Sequence, residues 1–307
     1  MGERRVKAGA VALLTVLALL VGAAPAGAAD ADGDGVGDAR DRCPTVPAAR
    51  PDGCPLGRWK LRNTNSAGPV DVSFRFASIA GRPIAGDWDG DGDDTVGTFD
   101  PRTGRWRLVN SNGPGAPAPD LNYLGAILGL EIPAAVQPVV GDWDGDGDDT
   151  FGLMDTSTGE VALRNSNTAG PADITFSFGG SQPVRYVQVV AGDWDGDGDD
   201  TIGVFRRDTN RWRLRNDNST GPPDLLFTFG RPGNADQPLV GDTDGGGGID
   251  GIGVSLMEDE GIYWFFRTTP SPGPPETQFS WGDCAGCSSA VVGDWDGDGI
   301  DTAGFRR

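Results

Sequence analysis

Carboxylates at alternate positions are the residues of this sequence best placed to do chemistry. Gly86-Asp87-Trp88-Asp89-Gly90-Asp91-Gly92-Asp93-Asp94-Thr95 sets Asp87, Asp89 and Asp91 two apart, with Asp94 three further on. A loop curling round one point aims the three alternating carboxylates inward, and Asp94 closes the shell from the far side. Gly90 and Gly92 permit the bend. Calcium takes about six to eight hard oxygens in flexible geometry, whereas magnesium keeps its waters in a stricter octahedron and zinc or iron favour softer ligands. The arrangement recurs as Asp142, Asp144, Asp146 and Asp149, as Asp193, Asp195, Asp197 and Asp200, and as Asp294, Asp296, Asp298 and Asp301. A further copy keeps Asp242 and Asp244 but has Gly246 for the third carboxylate and an extra residue before Asp250, so weaker binding is expected there. Solvated Asp-Gly turns would explain one such loop. They do not explain three alternating carboxylates four times over, and Ca2+ is the expected ligand.

Other chemistries find little support. The chain has no histidine, which removes the usual Ser-His-Asp and Cys-His bases. Paired carboxylates could serve a glycosidase, but here every pair lies inside a repeat, and a catalytic pair is needed once. The glycines at 245–248 lack the Lys-Ser/Thr ending of a phosphate loop. A formal charge of -20 argues against nucleic acid, which wants a basic patch. The expectation is a protein that is not an enzyme.

The five Asp loops start 55, 51, 49 and 52 residues apart, and each carries flanking elements that must position it. An apolar stretch precedes it, as in Pro83-Ile84-Ala85 or Pro138-Val139-Val140. A short alternating strand follows, as in Thr95-Val96-Gly97-Thr98-Phe99, then a turn and Trp106-Arg107-Leu108 or its equivalents. A fourth strand reads like residues 71–76, 173–178 and 224–229. Period-2 alternation between turn signals predicts strands throughout. Four antiparallel strands per unit of about 50 residues describe a propeller blade. Two strand signals precede the first Asp loop, and the chain stops after the second strand of the fifth unit. The two halves add up to one blade, so the expected fold is an all-β, five-bladed β-propeller closed by N- and C-terminal strands. The alternative is a linear stack with two open ends.

The motif G-D-W-D-G-D-G-x-D-T within such blades resembles the FG-GAP or VCBS-type repeats of integrin-like propellers over residues 57–307. That resemblance implies calcium in the loop between the first two strands of a blade, and adhesion, ligand binding or scaffolding as the role. In those repeats a later acidic ligand stands at position nine or beyond; here the last Asp is at position eight and Thr95 or its equivalent at nine. Asp30-Ala31-Asp32-Gly33-Asp34-Gly35-Val36-Gly37-Asp38, with Asp41-Arg42-Cys43-Pro44 and Asp52-Gly53-Cys54-Pro55, resembles a thrombospondin type 3 repeat. It implies one calcium site over residues 30–56, with Asp30, Asp32, Asp34 and Asp38 as ligands and Asp41 as an extra one. A piece this small depends on metal and disulfide for order.

Arg4, Arg5 and Lys7, an apolar run over residues 8–24 and the small residues Ala26-Gly27-Ala28-Ala29 read as a secretory signal over residues 1–29. The expected location is extracellular or cell-surface associated, with no membrane insertion after cleavage. Cys43 with Cys54 and Cys284 with Cys287 are then plausible disulfide staples. Trp59, Trp106, Trp212 and Trp264, and Trp88, Trp143, Trp194 and Trp295, hold fixed blade positions. They read either as core packing between blades or as aromatic platforms for sugars. Asn63, Asn65, Asn110, Asn112, Asn165, Asn167, Asn216 and Asn218 could grip hydroxyls or form Asx-turns. The function expected is a non-catalytic binding or adhesion module whose partner is a glycan or surface protein. The alternatives are a structural matrix or spacer protein and a cryptic extracellular hydrolase.

Overall fold

The protein was analysed as a computed structural model, which describes residues 29–48, 50–113, 135–179, 186–231, 236–258, 260–282 and 289–307. The secretory signal and the Cys284–Cys287 pair lie outside these residues. The chain divides between Gly53 and Cys54 into two compact units.

The larger unit is all-β. It opens with β1 (Leu56–Leu61) and β2 (Val72–Ser78), followed by β3 (Arg82–Gly86), β4 (Thr95–Asp100) and β5 (Arg105–Leu108). Three four-stranded meanders succeed them: β6 (Val136–Gly141), β7 (Thr150–Asp155), β8 (Glu160–Leu163), β9 (Ile174–Ser177); β10 (Val187–Gly192), β11 (Thr201–Arg206), β12 (Arg211–Leu214), β13 (Leu225–Thr228); and β14 (Gln237–Gly241), β15 (Gly251–Glu258), β16 (Gly261–Arg267), β17 (Thr277–Ser280). The last strands are β18 (Ser289–Gly293) and β19 (Thr302–Arg306), and they join the first two in one sheet of order β18-β19-β1-β2. β1 pairs antiparallel with β19, Trp59 opposite Arg306 and Leu61 opposite Gly304. Five sheets therefore form five blades, and the ring is closed by N- and C-terminal strands as the sequence arithmetic predicts. Blades are numbered here by their Asp loops, so the closing blade is the fifth.

Why the ring closes is visible in the packing. Five apolar clusters each join two neighbouring blades. Trp106 and Phe99 of the first blade pack with Phe151 and Leu153 of the second, Trp106 and Phe151 centroids lying 5.1 Å apart. Val161 meets Ile202 and Val204, Trp212 meets Ile252 and Val254, and Trp264 meets Ala303 and Phe305. Trp59 and Trp295 of the fifth blade return to Val96 of the first. A large side chain contributes roughly 1.5–3 kcal/mol when fully buried, so an unclosed end would leave one such seam wet. Arg306 reinforces the closing blade. Its guanidinium donates to the carbonyls of Ser78, Ile79 and Gly81 and lies over the Trp59 ring. Burial lowers its pKa to about 10.

The first strands of the blades, β3, β6, β10, β14 and β18, stand innermost and line a central channel. Each Asp loop follows its inner strand, so all five emerge at the same end of that channel.

The smaller unit has no regular strand among its described residues. Its chain turns on itself through bonds such as Arg42 N–H to the Asp52 carbonyl at 3.0 Å. Cys43 and Cys54 are both disulfide-bonded.

Candidate metal centres

In the first loop, Asp87 organises the backbone around its own carboxylate. Its Oδ1 accepts N–H bonds from Asp89, Gly90 and Asp91, and its Oδ2 accepts one from Gly92 at 2.8 Å. This curl needs positive φ at Gly90 and Gly92, +68° and +91°, which glycine adopts without strain. The result brings one oxygen each of Asp87, Asp89 and Asp91 within 4.8 Å of one another. The same holds for Asp142, Asp144 and Asp146, for Asp193, Asp195 and Asp197, and for Asp294, Asp296 and Asp298. Carboxylates held this close repel one another unless a cation lies among them, and an all-oxygen donor set suits a hard divalent ion. The fourth loop curls identically around Asp242, whose Oδ2 accepts from Gly247 N–H at 2.8 Å. Gly246 supplies no third carboxylate, and no triad forms there among the described residues.

The asparagines are bound to these loops. Asn63, Asn110, Asn165 and Asn216 each donate Nδ2–H to the middle carboxylate of their own blade's triad: Asp296, Asp89, Asp144 and Asp195, at 2.6–2.9 Å. Asn65, Asn112, Asn167 and Asn218 donate to the carbonyls of Asp301, Asp94, Asp149 and Asp200. They brace the cage from behind, as outer partners of metal ligands do. In the blade without a triad the corresponding residues are Thr268 and Pro270, and Thr268 turns to Glu276 instead. Loss of the third carboxylate and loss of the asparagines coincide. The threonine at position nine has a structural task. Thr95 Oγ1 donates to the carbonyl of Val109 at 2.5 Å, and Thr302 Oγ1 to that of Arg62 at 2.6 Å, which pins the loop's exit strand to the third strand of its blade.

The position-eight aspartates reach sideways. Asp149 Oδ2 accepts from Asp87 N–H at 2.9 Å while Asp149 N–H donates to the Asp87 carbonyl at 2.6 Å. Asp200 makes the same pair of bonds with Asp142, Asp250 with Asp193, Asp301 with Asp242, and Asp94 with Asp294. The five pairs run once round the ring, each stapling a blade to the one before it. Burial, and then the surrounding carboxylates, raise all five acids: Asp94 and Asp250 to about 7, and Asp149, Asp200 and Asp301 well above the ordinary range. Sequence reasoning assigned position eight to metal and missed the staple. The signal was present, because the fourth loop lost its third carboxylate and kept Asp250.

Position seven also crosses a seam. Asp148 lies over Gly90 of the first loop, Asp199 over Gly145 and Asp93 over Gly297, so that a Cβ at Gly90 would collide with the Asp148 carboxylate. Each therefore brings a fourth negative charge to a neighbour's triad; burial first, and then the charges of both loops, raise all three. Beside the triad of Asp193, Asp195 and Asp197 that place is taken by Ile249, which contacts Gly196.

No family model matches this chain. No curated protein matches it either. Among solved structures it is similar to an Agrocybe aegerita lectin studied for specific recognition of non-reducing terminal N-acetylglucosamine, at 18% identity, 68% of this chain, 56% of that one and a TM-score of 0.39. It is also similar to BBS1N in complex with ARL6DN, at 12% identity, 77% and 66% coverage and a TM-score of 0.34. A third is rhamnogalacturonan lyase YesW, at 15% identity, 81% and 53% coverage and a TM-score of 0.33. The chain spans between 53% and 66% of the length of these three structures.

In the smaller unit, Asp30, Asp32 and Asp34 form a fifth triad. Asp30 takes the organising place, accepting from Gly33 and Gly35 N–H, while Asp38 Oδ1 accepts from Ala31 N–H at 2.8 Å. Asp32 Oδ2 and Asp41 Oδ2 are buried acceptors without a hydrogen-bond partner, and Asp41 raises the Asp32 carboxyl through its charge after burial has done so. Unpartnered buried carboxylate oxygens are costly, and a cation between them would remove the cost. These residues fit calcium.

The eight repeated tryptophans are buried, those of the third strands completely. Trp59, Trp212 and Trp264 donate their indole N–H to the carbonyls of Phe76, Phe229 and Trp281, each at 3.0 Å. Core packing between blades is their role, and they offer no exposed platform for a sugar.

Proposed function

We propose that this is an exported, calcium-dependent propeller that acts as a non-catalytic binding or adhesion module outside the cell. It comprises a calcium-binding segment over residues 30–56 and the five-bladed ring over residues 57–307. The observation that carries the reading is the set of four matching Asp triads on one end of a closed ring, each braced by an asparagine of its own blade. Calcium would be held by the three alternating carboxylates of each loop, and what it supplies there is charge neutralisation that fixes the loops as a rigid rim. Export is supported by the basic, apolar and small-residue order of residues 1–29 and by disulfide bonding of Cys43 and Cys54. No helix among the described residues is long and apolar enough to cross a membrane.

Calorimetric titration of the mature chain with calcium, read beside native mass spectrometry and thermal melting, tests the reading. Four or five tightly held ions and a large rise in melting temperature are expected. Identical melting in calcium and in chelator, with no ion retained, would overturn it.

A further inference from the structure

The end of the channel opposite the Asp loops carries a concavity of about 720 Å3, within the range of about 300–1,000 Å3 usual for small-molecule sites. In a chain with 45 acidic residues, its lining holds two arginines, Arg82 and Arg207, and no carboxylate among the described residues. Arg207 lies within electrostatic reach of Asp236, which is completely buried. Among the described residues the lining at this end is cationic, whereas the loops at the other end carry the Asp triads.

The rim of this concavity is a ring of one residue per blade: Arg82, Gln137, Gln188, Gln237 and Ser289. Two of the glutamines serve as staples between blades. Gln137 donates to the Val187 carbonyl at 2.7 Å and accepts from Val189 N–H; Gln237 donates to the Ala290 carbonyl at 2.6 Å and accepts from Ala290 N–H. In the repeat register Pro238 holds in the next blade the place that Val189 holds for Gln137, and proline has no N–H to give. Gln188 Oε1 is accordingly buried with no partner. Ser255, which pairs with Gln237 across the sheet, is 1% exposed, lines the same concavity and has an unpartnered Oγ. Buried polar atoms left without partners cost free energy, and both side chains belong to the lining of the concavity. Ile84, Pro138 and Val189 supply an apolar floor.

We infer that this channel mouth is a binding site for a small hydroxylated carboxylate, a sugar acid, whose carboxylate is drawn to Arg82 and Arg207 and whose hydroxyls meet Gln188 Oε1 and Ser255 Oγ. A cation is a poor guest for a lining whose described residues include two arginines and no acid. A neutral sugar would meet the hydroxyl partners but not the charges. The inference rests on the reading of the ring as a binding module and is independent of where calcium sits.

Binding of D-glucuronate, with D-glucose as the neutral control, is to be measured calorimetrically on the calcium-loaded mature chain. Saturable one-to-one binding of glucuronate is expected, with glucose at least about tenfold weaker. A charge-assisted hydrogen bond contributes enough for Arg82→Gln and Arg207→Gln each to weaken glucuronate by about tenfold or more. Ser255→Ala should weaken both compounds while leaving the melting temperature unchanged, because the hydroxyl holds nothing in the free protein. It also guards against Arg82→Gln acting through its bond to the Val136 carbonyl. Absence of glucuronate binding at millimolar concentration in protein that still takes up calcium would overturn this site and leave the metal reading standing. Equal affinity for glucose, or binding indifferent to all three substitutions, would overturn it as well.

Discussion

Replacing Asp89 by alanine removes the carboxylate that Asn110 holds in place, and with it one of the three clustered carboxylates of the first loop. Its blade should lose its ion, so native mass spectrometry would count one calcium fewer. Asp244→Ala removes a carboxylate from a loop that has no triad, and the count should not change. Equal losses from both would contradict the ranking. A finer ranking comes from position seven. Asp148, Asp199 and Asp93 each add a charge to the triad of the preceding blade, while Ile249 adds none to that of Asp193, Asp195 and Asp197. Calcium affinity follows ligand charge, so this site should be the weakest of the four in the ring. Ile249→Asp should strengthen it about tenfold, read as the loss of the weakest phase in a calcium titration. If the weakest phase instead vanishes on changing another blade's loop, the charge argument fails.

At the scale of the element, the loop is defined by two glycines with different burdens. Gly90 and Gly92 both have positive φ, but only Gly90 has a neighbour where a Cβ would go. Alanine at Gly92 should cost about 1 kcal/mol from backbone strain alone. Alanine at Gly90 pays that and must also displace Asp148 of the next blade, so Gly90→Ala should lower the melting temperature distinctly further. Equal melting of the two variants would show that the seam yields freely. The strands, turns and triad positions were legible in the sequence because they repeat at short range: Asp87, Asp89 and Asp91 lie within one loop, and alternation within Arg105–Leu108 sets Trp106 and Leu108 inward. The Asp94 staple was not legible, since its partner Asp294 is 200 residues away and meets it only when the ring closes. The task of Thr95, bonded to Val109, was hidden for the same reason on a smaller scale.

For the whole molecule, the five staples gather acids that burial and mutual repulsion keep protonated to unusually high pH. Asp94 and Asp250 release their protons near pH 7 when folded, against about 3.9 in an unfolded chain. Between those values the folded state binds more protons, so stability falls as pH rises. In chelator the melting temperature should therefore be higher at pH 5 than at pH 8, by several degrees, and the charge of -20 acts in the same direction. Calcium should shrink or reverse the difference, because protons and the ion compete for carboxylates. A chelated protein that melts higher at pH 8 than at pH 5 would contradict the assignment.

The sequence by itself determined the number of blades, the closure by terminal strands and the four sets of alternating carboxylates, because each is a local pattern copied at a period of about 50 residues. Only the tertiary structure decided how one blade addresses the next. It turned Asp94 and its equivalents toward neighbouring backbones, buried every repeated tryptophan in a seam, and left Gln188 Oε1 buried without a partner. Contacts between blades join residues whose separation in the chain carries no local pattern, and their geometry exists only once the fifth blade has met the first.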